Sequence, residues 1–262
     1  MNSATSGQAR DEAGWPAGAA RPAHRRLRRA ALVGSAVLAL LALGTIALWY
    51  ATPPVNDLQA RVTRMAALHG GVVLAPAAVP PLLARAIVAT EDERFYQHHG
   101  IDVVGLTRAF LYDAGHLCGC QGGSTITQQL VKQLYLGGSD GGLDKLADMA
   151  LALKAELNLD KGQILADYLS IVATGYGRWG MAAAANAYFH RPLAALDLGQ
   201  LALLAGLPQA PTAYDPLLHP EAAEDRRREV LSSMVADGYI TAAQAAAAAK
   251  EPVTAGATAP TR

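Results

Sequence analysis

An uncharged run extends from Ala30 to Asn56, and its first part, Ala30 to Ala51, is almost wholly apolar. Leu38, Leu40, Leu41, Leu43, Ile46, Leu48 and Trp49 lie within it. A bilayer core needs about 20 such residues as a helix. The apolar region of a cleavable signal peptide is shorter, about 7–15 residues. The pattern therefore predicts a transmembrane helix over residues 30–51 rather than a signal sequence cut near Ala51. After it, Asp57 to Leu68 is amphipathic and predicts a short juxtamembrane helix. Val72, Val73 and Leu74 predict a brief extended stretch. Pro80 and Pro81 open a helix that carries Leu82, Leu83, Ile87 and Val88 at helical spacing.

Gly100 ends that segment, and Asp102 can cap a following helix with Leu106, Arg108 and Phe110. A glycine-rich loop, Gly115 to Gly123, comes next. Thr125 and Gln128 have capping-box spacing, so a helix is expected from Ser124 or Thr125. Further helices are predicted over Leu143 to Glu156, Ile164 to Val172, Met181 to Tyr188 and Leu196 to Leu207. Pro208, Pro211 and Pro216 interrupt the pattern. Two more helices are expected over Glu221 to Asp237 and Thr241 to Lys250. Few segments alternate strictly, so the fold reads as mainly α.

The chain has 262 residues, 52% hydrophobic and 17% charged, with a formal net charge of zero. Nothing global draws it to nucleic acid. The charge is uneven, however: Arg21, Arg25, Arg26, Arg28 and Arg29 stand just before the apolar run. By the positive-inside bias they place the N-terminus in the cytoplasm. The expected organisation is a disordered basic tail over residues 1–29, a membrane helix over 30–51, one domain over 52–250 and a disordered tail over 251–262. Cys118 and Cys120 flank Gly119. They lack the ligand spacings of a zinc site, and no function attaches to them.

Two blocks carry chemistry. The first is Glu91-Asp92-Glu93-Arg94-Phe95-Tyr96-Gln97-His98-His99-Gly100. It offers carboxylates, an aromatic and a histidine before a glycine turn. The second is Gly122-Gly123-Ser124-Thr125-Ile126-Thr127-Gln128-Gln129-Leu130-Val131-Lys132. A helix starting there aims backbone N–H groups at whatever precedes it, which suits a phosphate. Thr125, Gln129 and Lys132 share one helical face. One block can take a proton and the other can hold an anion. The adjacent His98 and His99 would point apart on a helix, and no further ligand cluster follows them.

The pattern E-D-x-x-F-x-x-H-x-G followed by G-G-S-T-I-T-Q-Q-L-x-K resembles the first two motifs of the peptidoglycan glycosyltransferases. Ile164-Leu165-Ala166-Asp167-Tyr168-Leu169 is similar to that family's I-L-E-x-Y-L-N helix, Tyr188-Phe189 to Y-F-G, and Leu203 to Pro211 to its L-L-A-G-L-P-Q-A-P text. The likeness runs from about Leu74 to Lys250. It implies a lysozyme-like helical domain that polymerises lipid II into glycan strands with inversion, releasing undecaprenyl pyrophosphate. Glu91 would be the base and Asp148 the second carboxylate. Substrate would be held by Asp92, His98, Arg108, Ser124, Thr125, Thr127, Gln129, Lys132, Gln133 and Lys145. The implied partners are lipid II, the growing lipid-linked glycan, the membrane and other cell-wall synthesis proteins, but not nucleic acid. No serine has a lysine three residues later and no Lys-Thr-Gly occurs. A monofunctional, membrane-anchored form without a transpeptidase domain is therefore expected, with its catalytic domain outside.

The third family motif, R-K-x-x-E, falls on Asp144-Lys145-Leu146-Ala147-Asp148, where only Lys145 matches outright. Between Ser124 and Leu165 the cations Lys132, Lys145, Lys154 and Lys161 face five acids, Asp140, Asp144, Asp148, Glu156 and Asp160. Arg178, or a divalent metal (Mg or Mn) at Asp144 or Asp148, is a candidate to restore positive charge. No cofactor is otherwise implied. The altered motif also keeps open a non-catalytic scaffold or lipid II-binding protein. A glycan hydrolase fits less well, because the Ser124 block has no role in simple hydrolysis.

Overall fold

The computed structural model describes residues 21–116, 123–139 and 141–252. Cys118, Cys120, Gly122, Asp140 and both expected end tails up to residue 20 and from residue 253 lie outside the described residues. The chain divides into two units, residues 1–51 and 52–262.

The first unit contains helix α1, Arg21–Ala51. It begins upstream of the Ala30 start expected from the apolar pattern, taking the arginine cluster into the helix. Its stretch Arg28–Ala51, 24 residues with mean hydropathy 2.4 and none of it buried, is long and apolar enough to cross a membrane. At 1.5 Å per residue it spans about 36 Å, against about 30 Å of hydrocarbon.

Among the described residues of the second unit, the regular elements are helices apart from one small hairpin. α2, Leu58–Leu68, buries Leu58, Val62 and Ala66 along one stripe. α3, Pro81–Glu91, starts on a proline at its first turn and buries Leu83, Ala86, Ile87 and Val88. α4 is Val103–His116. α5, Ile126–Tyr135, α6, Gly142–Asn158, and α7, Lys161–Ile171, follow. Strands β1, Ala173–Gly175, and β2, Arg178–Trp179, pair antiparallel. α8 is Met181–Phe189, α9 Leu198–Gly206, α10 Pro220–Ala236 and α11 Ala242–Ala248.

Two helices form the centre. Every residue from Ile164 to Ile171 of α7 is buried, and so is every residue from Gly199 to Gly206 of α9. α5, α2, α6 and α8 pack on α7; α3, α10, α8 and α11 pack on α9. The C-terminus of α3 thus belongs to one group of helices and the N-terminus of α5 to the other. The loop from Asp92 to Asp102 joins them.

That loop is held against α6 by Gly100. Its φ is +88°, and a Cβ there would lie 2.9 Å from the carbonyl carbon and oxygen of Ala152. Only glycine meets both demands. The expected extended stretch at Val72–Leu74 joins no strand. Leu74 instead donates its N–H to Ser170 Oγ at 2.8 Å. The hairpin was not expected; its turn uses Tyr176 at φ 39° and Gly177 at φ 73°, and strands this short leave no alternation to read.

Candidate active site

Glu91 is the last residue of α3, and Thr125 caps α5. Asp92 ties them together. Its carboxylate accepts from His98 Nε2 at 2.9 and 3.0 Å and from the backbone N–H of Ile126 at 3.0 Å. Both Asp92 and His98 are buried. His98 Nδ1 is buried without a hydrogen-bond partner among the described residues. Thr125 adds a second tie by donating its hydroxyl to the carbonyl of Gly100 at 2.7 Å. The histidine therefore orients the loop through Asp92.

The capping box is formed as the spacing suggested. Thr125 Oγ1 accepts from the N–H of Gln128 at 3.1 Å, and Gln128 Oε1 accepts from the N–H of Thr125 at 3.0 Å. One expectation changes as a result. The positive end of α5 is already occupied: Ile126 N–H faces Asp92 and Gln128 N–H faces Thr125. Anion binding at this end falls to side chains more than to free backbone donors.

A cavity of about 170 Å³ opens beside this junction. Glu91, Asp92 and Glu93 from the end of α3, Asp102 and Arg108 from the start of α4, and Ser124 and Thr125 from the start of α5 line it. Arg108 pairs with Glu93 at 2.9 Å, both well exposed. Such a pair is weak and can open. Lys145 of α6 reaches the cavity wall through Ser124, whose Oγ lies 2.9 Å from its Nζ. The same ammonium is 3.2 Å from Asp148 Oδ2.

Glu91 is half-buried. Its Oε2 accepts from Gln129 Nε2 at 2.8 Å, and Gln129 Oε1 accepts from the Tyr168 hydroxyl at 3.0 Å. Burial pushes the Glu91 carboxyl above its ordinary value. The Gln129 bond and the charge of Arg226 oppose that rise, and Asp92 adds to it. Asp148 is buried, and burial raises its carboxyl too, against the charge of Lys145, bonds from Lys145 and Gln128, and the charge of Lys132. Lys132, Lys145 and Asp148 therefore form one electrostatic group behind Ser124.

Several expected site residues face elsewhere. Thr127 is fully buried and donates to Glu156 Oε1 at 2.6 Å, so it lies inside the protein rather than on the cavity wall. Gln133 is near the far end of α5 beside Gly138, about 10 Å along the axis from Ile126. Arg178 does not supply the missing cation. It lies 3.3 Å from the buried Asp215 and over the Tyr188 ring at 5.0 Å. The two acids considered for a divalent metal are also engaged. Asp148 Oδ1 accepts from Gln128 Nε2 at 2.9 Å while Oδ2 faces Lys145. Asp144 accepts from Ser139. Among the described residues no group of three or more His, Cys, Asp or Glu could hold a metal ion.

Residue types alone missed Tyr168, Gln128 and Arg226. In the sequence Tyr168 stood only as the tyrosine of the I-L-E-x-Y-L-N likeness. The signal available was its phenol in a mostly apolar run, since a buried phenol requires a partner.

The family model described as Transglycosylase matches residues 63–235, which contain every residue discussed above. Penicillin-binding protein 1A of Streptococcus oralis is 45% identical over 181 residues, covering 68% of this chain and 28% of that protein. Penicillin-binding protein 1A of Haemophilus influenzae is 42% identical over 177 residues, covering 68% of this chain and 21% of that protein. A crystal structure of the H. influenzae protein superposes with a TM-score of 0.45 at 26% identity, over 72% of this chain and 18% of that one. The chain spans less than a third of the length of these curated relatives.

Proposed function

This chain belongs to the Transglycosylase family, and from that premise we propose that it is a peptidoglycan glycosyltransferase that polymerises lipid II into glycan strands. The growing lipid-linked glycan is the donor and lipid II the acceptor. The acceptor's sugar hydroxyl oxygen forms a bond to the donor's anomeric carbon. The bond from that carbon to the pyrophosphate oxygen breaks, the electron pair stays on that oxygen, and undecaprenyl pyrophosphate leaves. Attack opposite the leaving group inverts the anomeric centre. Glu91 takes the hydroxyl proton.

One observation carries this reading. A carboxyl raised by burial stands on the same cavity wall as Ser124 and the Lys145 ammonium behind it. A general base works best when its pKa approaches the working pH, and a leaving pyrophosphate requires a cation within reach. Ser124, Lys145 and Lys132 hold the pyrophosphate, with Arg108 joining them when its exposed pair with Glu93 opens. Asp148 acts behind them, keeping Lys145 in place. Asp92 and His98 fix the loop that carries the base. α1 spans the cytoplasmic membrane with its arginine-rich end inside, following the positive-inside bias, and the second unit works at the outer face. This arrangement suits two lipid-linked substrates that diffuse in the membrane plane.

The test is polymerisation of purified lipid-linked disaccharide by the detergent-solubilised chain, beside Glu91→Gln. Glycan ladders from the parent that vanish in the variant are expected. Retained lipid binding with no ladder from the parent would overturn the enzyme reading in favour of a binding module.

A further inference from the structure

We propose that Tyr168 is a positioning residue for Glu91, acting through the Gln129 side-chain amide, whose N–H end it holds toward the carboxylate. This rests on the reading of Glu91 as the base. The three side chains stand in line: the Tyr168 hydroxyl donates to Gln129 Oε1 at 3.0 Å, and Gln129 Nε2 donates to Glu91 Oε2 at 2.8 Å.

A carboxamide has a donor end and an acceptor end of nearly equal size, and its terminal torsion is broad and roughly two-fold. The two settings have opposite effects on a neighbouring carboxyl. With Nε2 forward, the bond favours the charged form, which is the form able to take a proton. With Oε1 forward, only a protonated Glu91 could donate to it. The orientation of one amide therefore sets the basicity of Glu91.

Tyr168 selects the first setting because a phenol presents a donor to the carbonyl oxygen. It is 1% exposed, so water does not compete for the amide from that side. Burial, then the charge of Glu91, hold its own pKa well above the ordinary value, so it stays a donor throughout the working range. The supports are rigid as well: Tyr168 is on α7 and Gln129 on α5, and the two helices pack directly. Gln129, expected from the sequence pattern to contact substrate, has both ends of its amide committed within the protein.

The experiment is a titration of Glu91 by carboxyl-13C NMR in the detergent-solubilised full chain, assigned by difference from Glu91→Gln. Tyr168→Phe removes one hydroxyl and keeps the ring. It is expected to raise the proton affinity of Glu91 about 3–10-fold. The acidic limb of the kcat profile should move up by the same factor, with KM for the lipid-linked disaccharide unchanged. An unshifted Glu91 titration in a Tyr168→Phe protein that melts normally would overturn the proposal. In the parent, the Gln129 side-chain amide 15N resonance should follow the Glu91 titration. A resonance that stays fixed overturns it too, even where Tyr168→Phe does not fold. Glycan ladders persisting in Glu91→Gln would sink the base reading instead, and leave the titration result standing.

Discussion

A carboxylate held above its ordinary range weakens the fold whenever it is charged. In the unfolded chain Glu91 titrates near 4.5, and burial moves it higher in the folded protein. Between those two values the native state binds more protons than the unfolded one, so stability falls as pH rises through the window. Above the folded value the whole penalty is present. Glu91→Gln should therefore melt higher than the parent, by about 2–4 °C for each ~1 kcal/mol recovered, while losing polymerisation. A calorimetric scan at neutral pH that shows an unchanged or lower melting temperature would contradict this. Thr127 makes the opposite case. Thr127→Val should lower stability by about 1 kcal/mol through the lost bond to Glu156 and leave KM unchanged, as steady-state kinetics can check. In the sequence both Thr125 and Thr127 stand among the residues expected to hold substrate. What separates them is Glu156, on another helix, and its position beside Thr127 exists only after packing.

Two helix starts were legible because their signals lie within one turn, whereas α7, capped by Asp160, begins at Lys161, three residues before the expected Ile164. Thr125 with Gln128, and Pro81 at the head of α3, were both read at or within one residue of their places. Removing the first should be measurable: Thr125→Ala is expected to cost about 1–2 kcal/mol and to free the Gly100 carbonyl as well. Thermal melting would show the loss. Activity should fall with it, because the cap also ties the Glu91 loop to α5. The hairpin β1–β2 was not legible, since two or three residues per strand leave no period to detect. The stretch Val72–Leu74 was expected to be extended, and it pairs with no strand. The Leu74 N–H pairs instead with Ser170, a partner 96 positions away.

Across the whole molecule, counting charges along the chain gave a wrong impression of the field at the site. Lys161 pairs with Glu156 at 2.7 Å, Lys145 with Asp148, and Asp160 caps α7 by accepting from the N–H of Gln163 at 2.8 Å. The apparent excess of acid between Ser124 and Leu165 is largely spent locally, and what reaches the cavity is the Lys145 ammonium against Ser124. Lys154 is spent too. It is buried, and its Nζ donates to the carbonyl and hydroxyl of Thr52 at 2.7 and 2.8 Å and to the carbonyl of Pro53 at 3.2 Å. Burial lowers its pKa; once uncovered that shift lapses and the amine reacts like any surface lysine. While the Thr52–Pro53 segment stays in place, an amine-acylating reagent should modify Lys145 and Lys250 and spare Lys154. Mass spectrometry that finds Lys154 labelled as fast as Lys250 would show the segment to be loose. A slow label would make Lys154 a built-in clock, reporting how often the first turns of chain beyond the apolar helix let go.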